Sequence, residues 1–191
     1  MNKATAIRLL KDHPISEFVF SKNDRGQDIF IITGATIIYP NFTGREIDNS
    51  IPETELDRNK KRNFRVFIDD PDIANKLNEM GCSISYFQDQ SDENGIGCHT
   101  LKVKPSYQFY DPKVILHSTN GVVTDCDKET AETIDKMDII PGSCYMIVRP
   151  SYYKYAGREG LTCYLEKLEV TIRPVKDYYT YPAFADEAPE E

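Results

Sequence analysis

Aromatic and basic side chains are interleaved at several points along this chain, a pattern that suits the binding of a flexible polyanion. The chain has 12 Tyr and 9 Phe but no Trp. Cations can follow the phosphates of a single strand while exposed rings stack on its unpaired bases, and stacking accepts any base. We therefore predict a sequence-tolerant site for single-stranded nucleic acid. The candidate residues are Phe42, Arg45, Arg58, Lys60, Lys61, Arg62, Phe64, Lys102, Lys104, Tyr107, Arg149, Tyr152, Tyr153, Lys154, Tyr155 and Arg158.

Packing in the core is the alternative for the same aromatic residues, because Tyr and Phe are common in strands. Tyr152 and Tyr153 are consecutive, so a strand would point their rings to opposite faces and expose at least one of them. For Phe64 both interpretations stay open. The same holds for the basic run at 58–65, since a run of charges is often only a solvated surface.

Catalytic motifs give little support for an enzyme. The sequence lacks the nucleophile-elbow, phosphate-loop, zinc-protease and dinucleotide-binding patterns. Its best candidate is nuclease-like: Pro71-Asp72 and Asp111-Pro112-Lys113 could supply two carboxylates for Mg²⁺ and a lysine near the attacking water. Asp72, however, lies where a helix should begin, and Asp111-Pro112 has the form of a turn. We expect a non-enzymatic protein that needs no metal or cofactor, with a metal-dependent nuclease as the weaker alternative.

Five cysteines are spread along the chain, and their spacing argues against both disulfides and zinc. Disulfide frameworks favour even numbers, and zinc ligands usually come in close pairs. No apolar run has the length of a membrane span, and the N-terminus lacks the pattern of a signal peptide. These features predict reduced thiols in a cytoplasmic protein that does not contact a membrane. The cysteines are Cys82, Cys98, Cys126, Cys144 and Cys163.

Negative charge is concentrated at the C-terminal end. The formal net charge is −8, but residues 177–191 carry five acids and no base, and the other 176 residues carry 23 bases and 26 acids. We predict a folded domain at 1–176 and a disordered acidic tail at 177–191, because such a segment cannot bury enough apolar surface to fold alone. The tail residues expected to dock on a partner are Phe184, Asp186, Glu187, Glu190 and Glu191.

Short runs of β-branched and aromatic residues, separated by turn residues, predict a mainly β barrel or sandwich with one or two short helices. Within the strand at 28–39, Gly34 should mark a bulge or bend. Within the strand at 161–173, Tyr164, Glu166 and Leu168 should share one face. A long loop is expected at 41–62. The other predicted strands are at 18–20, 64–69, 83–87, 101–104, 113–117 and 143–149, and the predicted helices are at 3–12, after Asp70 or Asp72 up to Gly81, and at 130–137.

A series of short segments appears in a recognisable order. They are Asn41-Phe42-x-Gly44, Arg62-Asn63-Phe64-x-Val66-x-Ile68-Asp69-Asp70-Pro71, Ala74-x-x-Leu77-x-x-x-Gly81, Pro112-x-Val114, Val148-Arg149-Pro150, Gly157-x-x-Gly160 and Tyr164-Leu165. Over roughly residues 30 to 175 this series resembles a family of bacteriophage single-stranded DNA-binding proteins with the OB fold, of the T7 type. Many relatives carry Tyr and Trp after the proline, where this chain has Ser151, Tyr152 and Tyr153.

The resemblance implies a five-stranded OB-fold-like barrel with extra strands, a helix between strands and single-stranded DNA in a groove across the barrel. It also implies that the acidic C-terminus recruits phage or host replication and recombination proteins. We expect a monomer or homodimer that acts in the cytoplasm of an infected bacterial cell. The alternative from another class is a virion or assembly protein that uses the β barrel only as a scaffold.

Overall fold

The computed structural model describes residues 16–44, 61–87, 98–107, 111–155 and 157–173, and this part of the chain is mainly β. The strands are β1 (Glu17–Lys22), β2 (Asp28–Ala35), β3 (Ile37–Asn41), β4 (Asn63–Ile68), β5 (Ile84–Phe87), β6 (Cys98–Lys104), β7 (Lys113–Ser118), β8 (Val123–Cys126), β9 (Asp138–Ile139), β10 (Cys144–Tyr155) and β11 (Arg158–Arg173). The helices are α1 (Pro71–Glu79), α2 (Lys128–Glu132) and a 3₁₀-helix at Thr133–Lys136. Within the described ranges, none of the helices has the length and apolarity needed to cross a membrane.

Helix α1 forms where the sequence predicts it. Asp70 is its cap, and the Asp70 carboxylate accepts a hydrogen bond from the backbone N–H of Asp72 at 2.8 Å. Ala74 and Leu77 lie one turn apart and are buried against the sheet. The helix stops just before Gly81, whose φ of +91° is a conformation that glycine adopts without strain.

Strands β2 and β3 are two parts of one bent strand, separated only by Thr36. The hydrogen-bonded order β2-β10-β11-β6-β4-β3 therefore starts and ends on the same length of chain, which makes a five-stranded barrel. Strand β1 pairs with β2, β5 pairs with β6, and β7 and β9 pair with β11, with β8 beyond β7. The prediction of a mainly β, OB-fold-like barrel with extra strands is confirmed.

The bend between β2 and β3 lies at the position predicted for it. Strand β10 shifts its register opposite Gly34, which is the extra residue of a bulge. Thr36 is buried, and its carbonyl and its hydroxyl both have partners. The carbonyl accepts a hydrogen bond from the N–H of Phe67 at 3.1 Å, and the hydroxyl accepts one from the N–H of Gly142 at 2.8 Å. Both of these buried acceptors are therefore satisfied where the strand bends.

The barrel is only partly closed between β6 and β11, a line that we call the seam. Their parallel pairing covers two residue pairs near Lys104. The turn after α1 fills the rest of the seam, because the Gly81 carbonyl accepts a hydrogen bond from the N–H of Leu161 at 2.8 Å. A methyl group on Gly160 would lie 3.0 Å from that carbonyl oxygen, so the absence of a side chain at 160 allows the turn to approach.

The interior of the barrel is filled by apolar side chains from every strand of the closed ladder and from both α-helices. The largest of them that are fully buried are Phe30, Phe42, Phe64, Ile32, Ile68, Leu77, Leu101, Leu116, Ile134, Met146 and Leu165. Burial of such residues is the main favourable contribution to folding. The core therefore fixes which side of each strand faces outward.

Two details of the long hairpin differ from the sequence-based expectation. Strand β10 continues past the predicted end at 149 to Tyr155, because it stays paired with β11 that far. Pro150 is tolerated there, because the pairing with β2 stops at Val148 and does not need the N–H that proline lacks. In β11 the register shifts at Glu166, which leaves both Leu165 and Leu168 buried. The expectation that Glu166 and Leu168 share one face was therefore wrong. The expected helix at 3–12, most of the loop at 41–62 and the acidic tail lie outside the described residues.

Candidate nucleic-acid interface

The strand register determines which side chains share the outer surface at the seam, because directly paired residues lie on the same side of a sheet. The outward pairs are Tyr153 with Gly160, Arg149 with Tyr164, Tyr164 with Lys104 and Arg65 with Lys102. Four cations and two tyrosines therefore share one surface, which we call the seam face. Its members are Arg65, Lys102, Lys104, Arg149, Tyr153 and Tyr164.

A cleft of about 390 Å³ lies on the seam face, between β6 and the β10–β11 hairpin. Its lining residues are Ser83, Lys102, Lys104, Tyr153, Leu161, Thr162 and Cys163. Burial lowers the pKa of Lys104, and the neighbouring charge of Lys102 lowers it further. Neither lysine has an ion-pair partner among the residues that the structure describes. Two partly buried ammonium groups that lack a counter-charge within the described ranges form a site that a bound anion would stabilise.

The two consecutive tyrosines of the hairpin lie on opposite sides, as the sequence predicts for a strand. Tyr153 lines the cleft and is 42% exposed, and it lies beside Gly160, where a methyl group would approach its hydroxyl to 3.2 Å. Tyr152 lies on the other side, where its hydroxyl donates to Glu159 at 2.8 Å. Lys154 also pairs with Glu159, at 3.4 Å. Tyr153 therefore combines an exposed ring with two lysines in one cleft.

Arg149 lies on the seam face but is already partly neutralised. Its Nε lies 2.9 Å from a carboxylate oxygen of Glu166, and its guanidinium lies 5.9 Å from the ring centroid of Tyr164. The Glu166 bulge brings this carboxylate onto the outer surface. Arg149 can therefore contribute a hydrogen-bond donor to a phosphate, with less net charge than the lysines.

Arg65 and Tyr164 belong to the seam face although the sequence analysis did not place them in the site. Arg65 donates a hydrogen bond to the hydroxyl of Thr100 at 3.1 Å, and burial lowers its pKa. Alternation along the strand at 64–69 could have indicated the outward position of Arg65, because an inward Phe64 requires an outward neighbour. What no local pattern indicates is that Lys102 lies directly opposite Arg65.

Phe42 and Phe64 lie inside the barrel and not on the seam face. Both are fully buried, and their rings stack on each other with centroids 5.2 Å apart. A ring buried in this way cannot receive a base while the protein is folded. We therefore leave both phenylalanines out of the interface, and the core-packing alternative describes their position.

Arg62 and Tyr107 form a structural cluster with α2. The Arg62 side chain is 4% exposed, pairs with Glu132 at 2.6 Å and donates to the carbonyl of Phe42 at 2.8 Å. Its guanidinium lies 5.2 Å from the ring centroid of Tyr107, and Lys128 lies 5.8 Å from the same ring. Burial raises the pKa of Tyr107, whose hydroxyl has no hydrogen-bond partner within the described part of the chain. The Arg62 side chain therefore links Glu132 to the backbone of Phe42, and it is not exposed to a ligand.

The remaining predicted residues are only partly described. Lys61 is exposed at the end of the long loop, where its carbonyl accepts hydrogen bonds from the side-chain amides of Asn41 and Asn63, each at 2.9 Å. Tyr155 and Arg158 belong to β10 and β11, but their side chains are not described. Positions outside the described residues are Arg45, Arg58, Lys60 and the tail residues Phe184, Asp186, Glu187, Glu190 and Glu191.

The two aspartates of the nuclease-like pattern lie at the starts of secondary-structure elements. Asp72 is in the first turn of α1 and is exposed, whereas Asp111 lies just before β7. In the ranges that the structure describes, no group of three or more His, Cys, Asp or Glu residues is arranged to hold a metal ion.

Comparison with known proteins gives one family and several similar structures. Residues 21–188 match the model of the family described as "Putative phage ssDNA-binding domain". No curated protein matches the sequence significantly.

Proteins of two bacteriophages are among the similar structures. The single-stranded DNA-binding protein of bacteriophage Enc34 in complex with ssDNA has a TM-score of 0.45 and 11% identity, covering 83% of this chain and 97% of that one. The same Enc34 protein has a TM-score of 0.41 and 12% identity in another structure, covering 91% and 99%. The single-stranded DNA-binding protein gp2.5 of bacteriophage T7 has a TM-score of 0.37 and 14% identity, covering 85% and 98%.

The placement of Arg62 generates a prediction. We expect Arg62→Ala to lower the free energy of unfolding by about 3 kcal/mol, because it leaves a partly buried carboxylate and a carbonyl without their partner. Chemical denaturation would measure this loss. Lys61→Ala is the matched control at an exposed neighbour, and it should stay within about 0.5 kcal/mol of the parent. If Arg62→Ala keeps the parent's stability and instead weakens DNA binding at low salt, Arg62 belongs to the interface.

Proposed function

The chain belongs to the phage single-stranded DNA-binding domain family and binds single-stranded DNA, and we propose that the strand lies across the seam face. The cleft between β6 and the hairpin takes the phosphates at Lys102 and Lys104, while the exposed ring of Tyr153 stacks on an unpaired base. The interaction requires no catalytic step. Its function in phage replication or recombination is to cover unpaired DNA in the infected bacterial cell.

The observation that carries this proposal is the pair of lysines, without an ion-pair partner in the described part of the chain, beside an exposed tyrosine in one cleft. Positive charge alone would suit any anion, including duplex DNA. The ring supplies the preference for a single strand, because bases in a duplex are already stacked on each other and offer no free face. Stacking and phosphate contacts do not depend on base identity, so the site should accept any sequence.

The acidic tail has two proposed roles. Its five acids in residues 177–191 are attracted to the cations of the seam face, so the tail competes with DNA when DNA is scarce. When DNA occupies the face, the displaced segment with Phe184 is available to phage or host replication proteins. Recognition of an acidic peptide through basic clusters and an apolar pocket is a common mode of protein docking.

Salt dependence tests the electrostatic half of the proposal. With four cations on the face, we expect the logarithm of the binding constant for poly(dT) to fall with the logarithm of salt concentration with a slope of about −3. Lys104→Met should reduce that slope by about 0.7, the contribution of one phosphate contact on a single strand. Lys22→Met is the control, because Lys22 is exposed on β1 and paired with Asp28. Titration in EDTA followed by quenching of tyrosine emission would measure all three proteins.

The same titration separates the competing functions. A nuclease would degrade the DNA when Mg²⁺ is added, and a virion scaffold would bind neither single-stranded nor duplex DNA. Tighter binding to duplex than to single strands, or a slope near zero, would contradict the proposal. An unchanged slope in Lys104→Met would remove that lysine from the interface.

Lys104→Met should also stabilise the free protein, because the charged ammonium is buried beside Lys102. The pKa of Lys104 is lowered in the folded state, so the folded state loses its proton before the unfolded state does as pH rises. The cost is present in full below the lowered pKa and disappears as pH rises through it towards 10.5. Thermal unfolding should therefore show a higher Tm for the variant at pH 7, with a gap that closes at alkaline pH. A lower Tm at pH 7 would contradict this account of Lys104.

The hairpin tyrosines provide a matched pair for the stacking half. Tyr153→Ala should weaken binding of poly(dT) by about 1–3 kcal/mol, the usual cost of removing one stacked ring. Tyr152→Ala should bind like the parent, since that ring is on the Glu159 side of the hairpin. If the Tyr152 variant alone loses affinity, the strand follows the other side of the hairpin. If neither does, the hairpin is not in the interface.

Deletion of residues 183–191 tests the competition by the tail. We expect the 1–182 form to fold normally and to bind poly(dT) more tightly than the full chain at low salt. The difference should shrink as salt screens the attraction, because the Debye length falls to roughly 10 Å at 0.1 M. Equal affinities of the two forms at both low and high salt would exclude competition by the tail. Weaker binding of the truncated form would mean that the tail favours DNA binding.

A further inference from the structure

A second aromatic group lies on the outer surface of the barrel, away from the hairpin. Tyr39, in β3, is 38% exposed, and its ring centroid lies 6.5 Å from that of the half-buried Phe87 in β5. The guanidinium of Arg65 lies 5.6 Å from the centroid of the Phe87 ring. An exposed tyrosine, a phenylalanine and an arginine thus converge on one surface, and we call the two rings the Tyr39–Phe87 pair.

The backbone of Tyr39 is strained in a way that keeps its ring on the surface. Its φ of +50° is the one positive value at a non-glycine residue in the described part of the chain. A bulky side chain disfavours this conformation, and so does a following proline, here Pro40. The register of β3 against β4 shifts between Ile38 and Asn41, so the strained residue lies in a bulge of the sheet. Strain of this kind is concentrated at ligand-binding positions.

The Tyr39–Phe87 pair rests on a small core of its own. Ile38, Phe67 and Cys98 are buried on the outer side of the sheet, and Phe87 packs against them. This second core is separate from the main core inside the barrel. Phe87 covers part of this outer core. The packed layer gives the two rings a rigid base.

Charges of both signs lie beside the pair. A neighbouring cleft of about 530 Å³ is lined by Tyr39 and Lys102, and also by two carboxylates. Asp135 accepts hydrogen bonds from the backbone N–H groups of residues 42 and 43, and Asp138 pairs with Arg173 at 3.4 Å. Both carboxylates are therefore engaged. Lys102 lines this cleft and the seam-face cleft, so one cation connects the two.

We propose that the Tyr39–Phe87 pair is a second stacking site, which takes another unpaired base of the DNA strand bound beside Tyr153. This inference rests on the proposed function. In the order β10-β11-β6-β4-β3, Tyr39 and Tyr153 are four strand spacings apart, about 19 Å along the sheet. Arg65 and Lys102 lie between them, paired on β4 and β6. A single strand that crosses this surface meets a ring at each end and cations in the middle.

Tyr39→Asn tests the second site with little risk to folding. Asn tolerates the left-handed conformation better than Tyr, so the variant should melt at or above the temperature of the parent. Its affinity for oligo(dT) of about 16 nucleotides, the upper end of site sizes for an OB fold, should fall by about 5- to 150-fold. Tyr39→Phe keeps the ring and should bind like the parent. Tyr86→Asn is the matched control, because Tyr86 is 56% exposed on the opposite side of the same strand as Phe87.

A double variant tests whether the two sites act on one strand. Because they are well separated, the losses of Tyr39→Asn and Tyr153→Ala should multiply when the substitutions are combined. If each site instead held a different strand, one bound oligonucleotide per protein would be released by either variant alone, and the stoichiometry would fall from two to one. That stoichiometry would overturn the proposal.

Photocrosslinking gives a readout that does not depend on affinity. Oligo(dT) with 5-iodouracil substituted for thymine, irradiated on the parent protein, should yield a crosslinked peptide that contains Tyr39. If the parent does not bind the oligonucleotide, the proposed function fails and this inference fails with it. If the parent binds, but Tyr39→Asn binds equally well and Tyr39 is not crosslinked, only the second site is overturned.

Discussion

The hydrogen bond from the Leu161 amide to the Gly81 carbonyl is the contact on which the arrangement of the DNA-binding surface depends. Strands β6 and β11 share only two residue pairs, so their own pairing closes the barrel weakly. The turn after α1 completes the seam, and it can do so because Gly160 has no side chain. With the seam closed, the hairpin that carries Tyr153 lies beside the lysines of β6. Without it, only the two residue pairs near Lys104 would hold the two sides of the cleft together directly.

Cations of similar chemistry serve different purposes in this barrel according to their partners. Arg62 is satisfied internally by Glu132 and a carbonyl, and it stabilises the fold. Lys104 is partly buried beside another lysine, an arrangement that lowers its pKa and costs the free protein stability. A group whose charge is unfavourable before binding gains most from a phosphate. Function and stability are therefore opposed at this lysine, as is common in binding sites.

A protein with a net charge of −8 can bind a polyanion because attraction depends on the local field and not on the total. The strand register gathers four cations on the seam face, within a surface that spans only a few strand spacings. Charges farther away than roughly 8–10 Å are largely screened at physiological ionic strength. The five acids of residues 177–191 stand together at one end of the sequence, where they are separate in the chain from the residues that form this face.

The sequence by itself determined what depends on neighbouring residues: most of the strands, the capped helix after Asp70, the bulge at Gly34 and the opposite directions of Tyr152 and Tyr153. It also indicated an aromatic and basic surface, because those residue types occur close together along the chain. It could not assign Arg62 to the interior or place Lys102 opposite Arg65, since these partners are distant in sequence. The bulge at Glu166 puts Leu168 on the opposite side of the sheet from the one that simple alternation predicts. Only the tertiary structure decided which rings and cations meet, because barrel closure pairs strands whose contacts no local pattern encodes.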